Sequence, residues 1–155
     1  MSKSIHLVID GDSQSCCFEK TIIGYDEEME TYSFELEVSI NGTKYTAQHN
    51  VMEFAIIDLQ KNLPQNMKIA CCQTCRHGSF CPFGDQEDEI FCLIDYSPQN
   101  KEDVVDIFSR RNSGNNALRP NSLLHKCEYY QEINNSYYSY NYNDWLYYLK
   151  DNGEL

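Results

Sequence analysis

Apolar and polar residues alternate with a period of two through the first third of the chain. Ile5, Leu7 and Ile9 alternate with His6, Val8 and Asp10, and the run stops at Gly11-Asp12-Ser13. That spacing lines one face of a half-buried strand ending in a turn. A second strand is predicted over Cys17 to Gly24, followed by the acidic turn Asp26-Glu27-Glu28-Met29-Glu30. Phe34, Leu36, Val38 and Ile40 then alternate with Glu35, Glu37 and Ser39, and Asn41-Gly42 follows at once. Asn and Gly tolerate the positive φ that both central positions of a type I′ turn require, so Thr43 to Gln48 is the return strand of a hairpin.

The period then changes. Met52, Ala55, Ile56, Leu59 and Leu63 recur at helical spacing and form one core-facing stripe, which Pro64 ends. Asn50 with Glu53 three residues later predicts an N-cap close to a capping box. Met67 to Cys71 and Glu89 to Asp95 read as short strands, the second placing Cys92 mid-strand. Arg76 to Asp88, with Gly78, Pro82 and Gly84, is the loop between them. Lys101 to Arg110 predicts a second helix with Val104, Val105 and Phe108 inward. Ser113 to Ser122 is a polar connector, and Asn143 or Asp144 caps a terminal helix carrying Trp145, Leu146 and Leu149. The fold class expected is α+β, an antiparallel β-meander with two or three helices. At 155 residues one domain is expected, in three parts: 1–66 the meander and helix, 67–130 a cysteine-knuckle lobe, and 131–155 a tyrosine-rich segment.

Charge narrows the possible partners. The formal net charge is -12, from 24 acidic and 12 basic residues. Such a field repels phosphate backbones, and Arg110-Arg111, the only adjacent cationic pair, reads as the end of a helix whose dipole favours cations. No apolar run approaches the ~20 residues of a membrane span. Met1-Ser2-Lys3-Ser4 lacks the apolar core of a secretory signal. A cytoplasmic setting is therefore expected, where thiols stay reduced, and eight cysteines there point to metal binding or redox chemistry before disulfides.

Cys71, Cys72, Cys75, Cys81 and Cys92 crowd one stretch, and Cys127 follows in His125-Lys126-Cys127-Glu128-Tyr129. Two cysteines separated by two residues can aim both sulfurs at one ion, as a tetrahedral zinc site requires. Cys72 and Cys75 form that pair, Cys92 lies beyond the loop, and Cys127 is the favoured fourth ligand. A more local set replaces Cys127 with Cys81, which is easier to close entropically. Against it, Phe80, Pro82 and Phe83 flank Cys81 and suit a small buried hydrophobe. His77 or His125 is an alternative nitrogen ligand.

The set Cys72, Cys75, Cys92 and Cys127 loosely resembles small four-cysteine metal modules of bacterial and phage proteins. In these a CxxC pair is followed by one cysteine after a loop and a last one just before an acidic and an aromatic residue. The resemblance covers Cys72 to Tyr129 only. Four thiolates fill a tetrahedron and leave no open position for water, so the expected zinc is structural. An iron–sulfur centre accepts the same donors and is the lesser expectation. A redox CxxC needs a helix N-terminus to lower its thiol pKa, and Arg76-His77-Gly78-Ser79 does not begin a helix.

No GxSxG, HExxH, P-loop or GxGxxG is present, His6, His49, His77 and His125 are scattered, and Asp85, Glu87, Asp88 and Glu89 lack the ligand spacing of an EF-hand. Tyr129, Tyr130, Tyr137, Tyr138, Tyr140, Tyr142, Tyr147 and Tyr148 crowd around Trp145. Such rings either pack on the sheet or supply rigid contact area at an interface. The expected function is therefore a non-enzymatic, acidic protein-binding domain stabilised by structural zinc. One version is an immunity-type inhibitor covering the active cleft of a basic toxin, since opposite charge speeds association. The alternative is a redox or iron–sulfur protein using Cys72 and Cys75.

Overall fold

Five antiparallel strands and one helix make up the first of two compact units, Met1–Ala70, in the computed structural model. The structure describes residues 3–84, 86–110, 118, 120–133 and 142–154. The strands are β1 (Lys3–Ile9), β2 (Asp12–Asp26), β3 (Thr31–Ile40), β4 (Thr43–His49) and β5 (Met67–Ile69), in the order β4-β3-β2-β1-β5. Each inward set is the one the alternation named: Ile5 and Leu7 on β1, Phe34, Leu36, Val38 and Ile40 on β3 are buried. Asn41 and Gly42 both take positive φ, at 49° and 81°, and Ile40 pairs with Thr43 across the turn. The type I′ expectation therefore holds.

Helix α1 (Met52–Asn62) buries Met52, Ala55, Ile56 and Leu59. Its start differs from the expectation. The cap residue is Val51, with no side-chain cap bond, and Asn50 is not the cap. The ring Nδ1 of His49 accepts instead from the backbone N–H groups of Asn50 and Val51, both at 3.0 Å. Both N–H groups precede the first turn, so the imidazole fixes the chain entering α1 and does not replace the expected cap. Gln60 then locks the far end of the helix to the sheet. Its buried amide donates to the Met67 carbonyl at 2.9 Å and accepts from the Ile69 N–H at 2.8 Å. This ties β5 into the first unit, where it pairs with β1, and removes it from the cysteine lobe in which the sequence placed it.

The second unit, Cys71–Leu155, has far shorter ladders. β6 (Gly78–Ser79), β7 (Ile90–Cys92) and β8 (Pro120–Asn121) form a three-stranded antiparallel sheet in the order β6-β7-β8. Cys92 is the last residue of β7 and does not sit mid-strand, although the Leu93 N–H still donates to the His77 carbonyl at 2.8 Å, one step further along the same register. Helix α2 (Lys101–Ser109) is capped by Asn100, whose side chain accepts from Asp103 N–H at 2.9 Å. Val104 and Phe108 pack from it onto Cys81, Phe91 and Leu93. The Phe91 and Phe108 rings meet edge-on at 5.1 Å. Helix α3 (Asp144–Asp151) buries Trp145, Leu146 and Leu149, and Asn143 is its cap.

Together the two units are mixed α+β. The expected connector at 113–117 and 119, and Asp85, Arg111, Tyr137, Tyr138 and Tyr140, lie outside the described residues. No helix among the described residues is long and apolar enough to cross a membrane.

Candidate metal centre

Cys72 and Cys75 sit in a tight turn, where the Cys75 N–H donates to the Cys72 carbonyl and the Thr74 N–H to the Cys71 carbonyl. The turn closes on Gly78. A Cβ at that position would overlap the Cys72 carbonyl oxygen and reach within 3.1 Å of Ile90 Cδ1. Only a residue without a side chain lets β6 pass this close to the turn. Gly78 in turn pairs directly with Cys92 across the β6–β7 ladder, so the ladder that demands glycine also carries the third thiol. Cys127 arrives from a separate segment. The Cys72 N–H donates to the His125 carbonyl at 2.7 Å and the Gln73 N–H to Leu123 at 3.2 Å, which holds 123–127 against the turn.

The result is a cavity of about 30 Å³ whose walls include Cys72, Cys75, Cys92 and Cys127, with Cys71, His77, His125 and Tyr130 beside them. That is enough room for one ion or water. Cys81 is elsewhere, buried against Phe91, Leu93, Val104 and Phe108, so the local ligand set is not assembled. His77 and His125 do border the cavity. Burial first, and then Arg76, lowers the His77 pKa.

Several sulfurs accept backbone N–H groups. His77 N–H points at Cys75 Sγ at 3.5 Å, the Ile94 N–H bonds Cys92, and those of Gln73 and Thr74 bond Cys71. Such donors favour a thiolate over a thiol. Burial acts the other way and dominates. It pushes Cys71 up to about 11 and raises Cys72 far above the ordinary thiol range. The neighbouring Cys71, Cys75, Cys127 and Cys92 raise Cys72 further. Cys92 is raised by burial as well, and again by Cys75 and Cys127.

Mutual repulsion among thiolates in one cavity is what a divalent cation removes. Among the described residues no group of three or more His, Cys, Asp or Glu side chains stands at ion-holding geometry. The four thiols share walls without meeting at a common centre. A tetrahedral zinc would require its four sulfurs about 3.8 Å from one another, given Zn–S bonds near 2.3 Å.

Sequence reasoning passed over two residues that build this centre. Cys71 is fully buried, lines the same cavity and has the richest set of N–H partners. Its adjacency to Cys72 hid it. Asn143 is the other. Its side-chain oxygen caps α3 at the Trp145 N–H, while its amide donates to the Gln73 and Gly78 carbonyls at 2.8 and 3.1 Å. One buried asparagine thus fastens the terminal helix to both sides of the turn. Its capping role was legible, but the partner 70 residues away was not. Arg76 adds a further tie, donating to the Gln131 side chain and the Glu132 carbonyl. Thr74 adds another through the Tyr130 hydroxyl at 3.3 Å. No protein-family model, curated protein or solved structure matches the chain.

Proposed function

We propose that the chain is a non-enzymatic protein-binding module whose second unit is stapled by a structural zinc ion on Cys72, Cys75, Cys92 and Cys127. One observation carries this reading: four thiols from three separate segments border one cavity sized for a single ion. Soft sulfur donors in a partly buried cavity, with N–H groups aimed at Cys75 and Cys92, suit zinc. Four protein ligands leave no position for a substrate, so the ion would hold the fold and perform no chemistry. With a net charge of -12, the preferred partner is a basic protein in a reducing, cytoplasmic setting. An immunity-type inhibitor of a cationic toxin is the concrete version.

The redox alternative is weaker. A reactive CxxC needs a lowered thiol pKa, and burial raises that of Cys72. An iron–sulfur centre uses the same donors and is the second reading. Elemental analysis and a visible spectrum of protein purified anaerobically and reduced would decide. One zinc per chain and no colour supports the proposal. Iron with charge-transfer bands replaces it with the second reading. A metal-free chain whose Cys72 and Cys75 alkylate rapidly overturns both.

A further inference from the structure

The outer end of the β2–β3 hairpin is the least covered apolar surface of the first unit. β2 runs 15 residues, but β1 pairs with it only as far as Phe18. Among the described residues, no strand pairs with its other edge from Thr21 onward. Ile22 pairs with the buried Phe34, and Tyr25 pairs with Tyr32. Paired residues share a face, and Tyr32 is two positions from Phe34, so all three continue the face that is core further along. The register shift between Ile22 and Gly24 makes this possible. It inserts Ile23 as an extra residue and returns Tyr25 to the face Ile22 occupies. Helix α1 packs on β4 and β3 and leaves this end open. Ile22, Tyr25, Met29 and Tyr32 each keep more than half their surface exposed.

The tip is built, not loose. Asp26 Oδ1 accepts from the Glu28 and Met29 N–H groups at 2.9 and 3.1 Å. Glu30 takes a positive φ of 53° to close the turn, and the Tyr25 and Tyr32 rings meet at 4.7 Å. A preformed surface loses less entropy on binding. Its charge identifies what it suits. The tip carries Asp26, Glu27, Glu28 and Glu30 with no lysine or arginine from Thr21 to Thr43, and the cation beside this face is Lys20, over the Phe34 ring at 4.3 Å. Nucleic acid and anionic membrane are repelled by such a surface, and a second copy brings the same charge.

We propose that this hairpin end is the docking surface of the module, and that its occupant is a cationic protein segment presenting aliphatic side chains between lysines or arginines. Tyr25, Tyr32, Ile22 and Met29 would take the apolar groups, and the tip carboxylates the charges. This rests on the protein-binding reading above and names its site.

The test uses the full chain and three short peptides of equal length: alternating Lys and Leu, alternating Lys and Ser, and alternating Glu and Leu. The Lys/Leu peptide should bind, with amide NMR shifts confined to about Ile22–Ser33, while the other two bind at least about tenfold more weakly. The double variant Tyr25→Ser/Tyr32→Ser should lose at least about tenfold in affinity with little change in melting temperature. The triple variant Glu27→Gln/Glu28→Gln/Glu30→Gln, which keeps the apolar face and Asp26, should weaken binding and flatten its salt dependence. Equal binding of the Lys/Ser peptide overturns the proposal, as does no binding at all. Binding mapped to another face also overturns it, while leaving the protein-binding reading intact. Self-association abolished by the tyrosine variant would reassign the surface to a second copy.

Discussion

The two units close their backbones in opposite ways. The first has strands of 15, 10, 7, 7 and 3 residues around an interior that is apolar apart from the hydrogen-bonded Gln60. The second has strands of two or three residues, and polar ties such as Asn143, Arg76 and Thr74 do much of the joining. Long ladders and a contiguous core offset the entropy of ordering a chain by themselves. Short ladders around a turn-rich segment do not, and a metal cross-link is one way to make up the difference.

Removing the ion is the sharpest way to break that contrast. Structural zinc contributes ~10–16 kcal/mol of apparent binding energy in small peptides, against a total stability of ~5–15 kcal/mol for an ordinary domain. Chelation, or Cys72→Ser, should therefore unfold the second unit and spare the first. The only tryptophan, Trp145, is buried in the second unit, so its fluorescence should shift to the red while β-sheet circular dichroism persists. Cys71→Ser should keep the zinc stoichiometry, because Cys71 is outside the proposed ligand set. Loss of zinc in that variant, and not in Cys72→Ser, would exchange the two residues.

Next in size is a matched pair of substitutions. Gly78→Ala drives a methyl group into the Cys72 carbonyl, and relief requires the turn to move. A loss of about 4 kcal/mol or more, with weakened zinc retention, is expected. Leu36→Ala opens a cavity in the fully buried centre of the first sheet. It should cost about 2–5 kcal/mol in the first unit's transition and leave zinc content unchanged. Coupling of zinc content to Leu36→Ala would show that the units do not stand separately.

The fold of the first unit was legible because its signals are local. Alternation names a strand face, and Asn41-Gly42 names the turn without reference to anything distant. Pro64 and the 52–63 stripe bound α1 in the same way. The helix starts one residue later than Asn50 predicts, with Val51 at the cap position and its N–H and that of Asn50 held by the His49 ring. In the second unit the candidate thiols were legible as residue types and spacing, and Cys127 was favoured over Cys81 from the flanking phenylalanines. Their common cavity was not, since it depends on Gly78 meeting the Cys72 carbonyl and on His125 meeting the Cys72 N–H. Both are contacts between segments with no pattern linking them. The sequence points to the C-terminal tyrosines as contact area, and Tyr129 and Tyr147 are indeed exposed, but the apolar face on β2 and β3 carries no such compositional signal. A register shift at Ile23 is invisible to a period of two.

Asn143→Ala tests how far the polar ties stand in for packing. It removes an N-cap and two donors to buried carbonyls in one change. A lost cap costs about 1 kcal/mol and a stranded buried carbonyl about 1–3 kcal/mol, so at least about 2–4 kcal/mol is expected in the second unit. Asn143→Asp keeps the capping oxygen and loses the donors. It should therefore fall below wild type by most of that amount if the carbonyl ties dominate, and by little if the cap does.

The smallest expected effect is a gain, and it falls in the first unit. Glu19 stands directly opposite Glu37 across the β2–β3 ladder, an arrangement that repels, and Lys44 meets Glu37 at 3.2 Å from the other side. Cross-strand charge pairs are worth about 0.2–1 kcal/mol, so Glu19→Lys should stabilise the first unit by roughly 0.5 kcal/mol. The gain should shrink in high salt, where exposed charges are screened. Urea denaturation at two salt concentrations reads both. A sheet that stands on its core can keep such a repulsive pair at little cost. If the same substitution also slows association with the cationic Lys/Leu peptide, the unfavourable pair belongs to the field that draws a basic partner in. If association is unchanged, the pair is a tolerated defect of a sheet stable enough to ignore it.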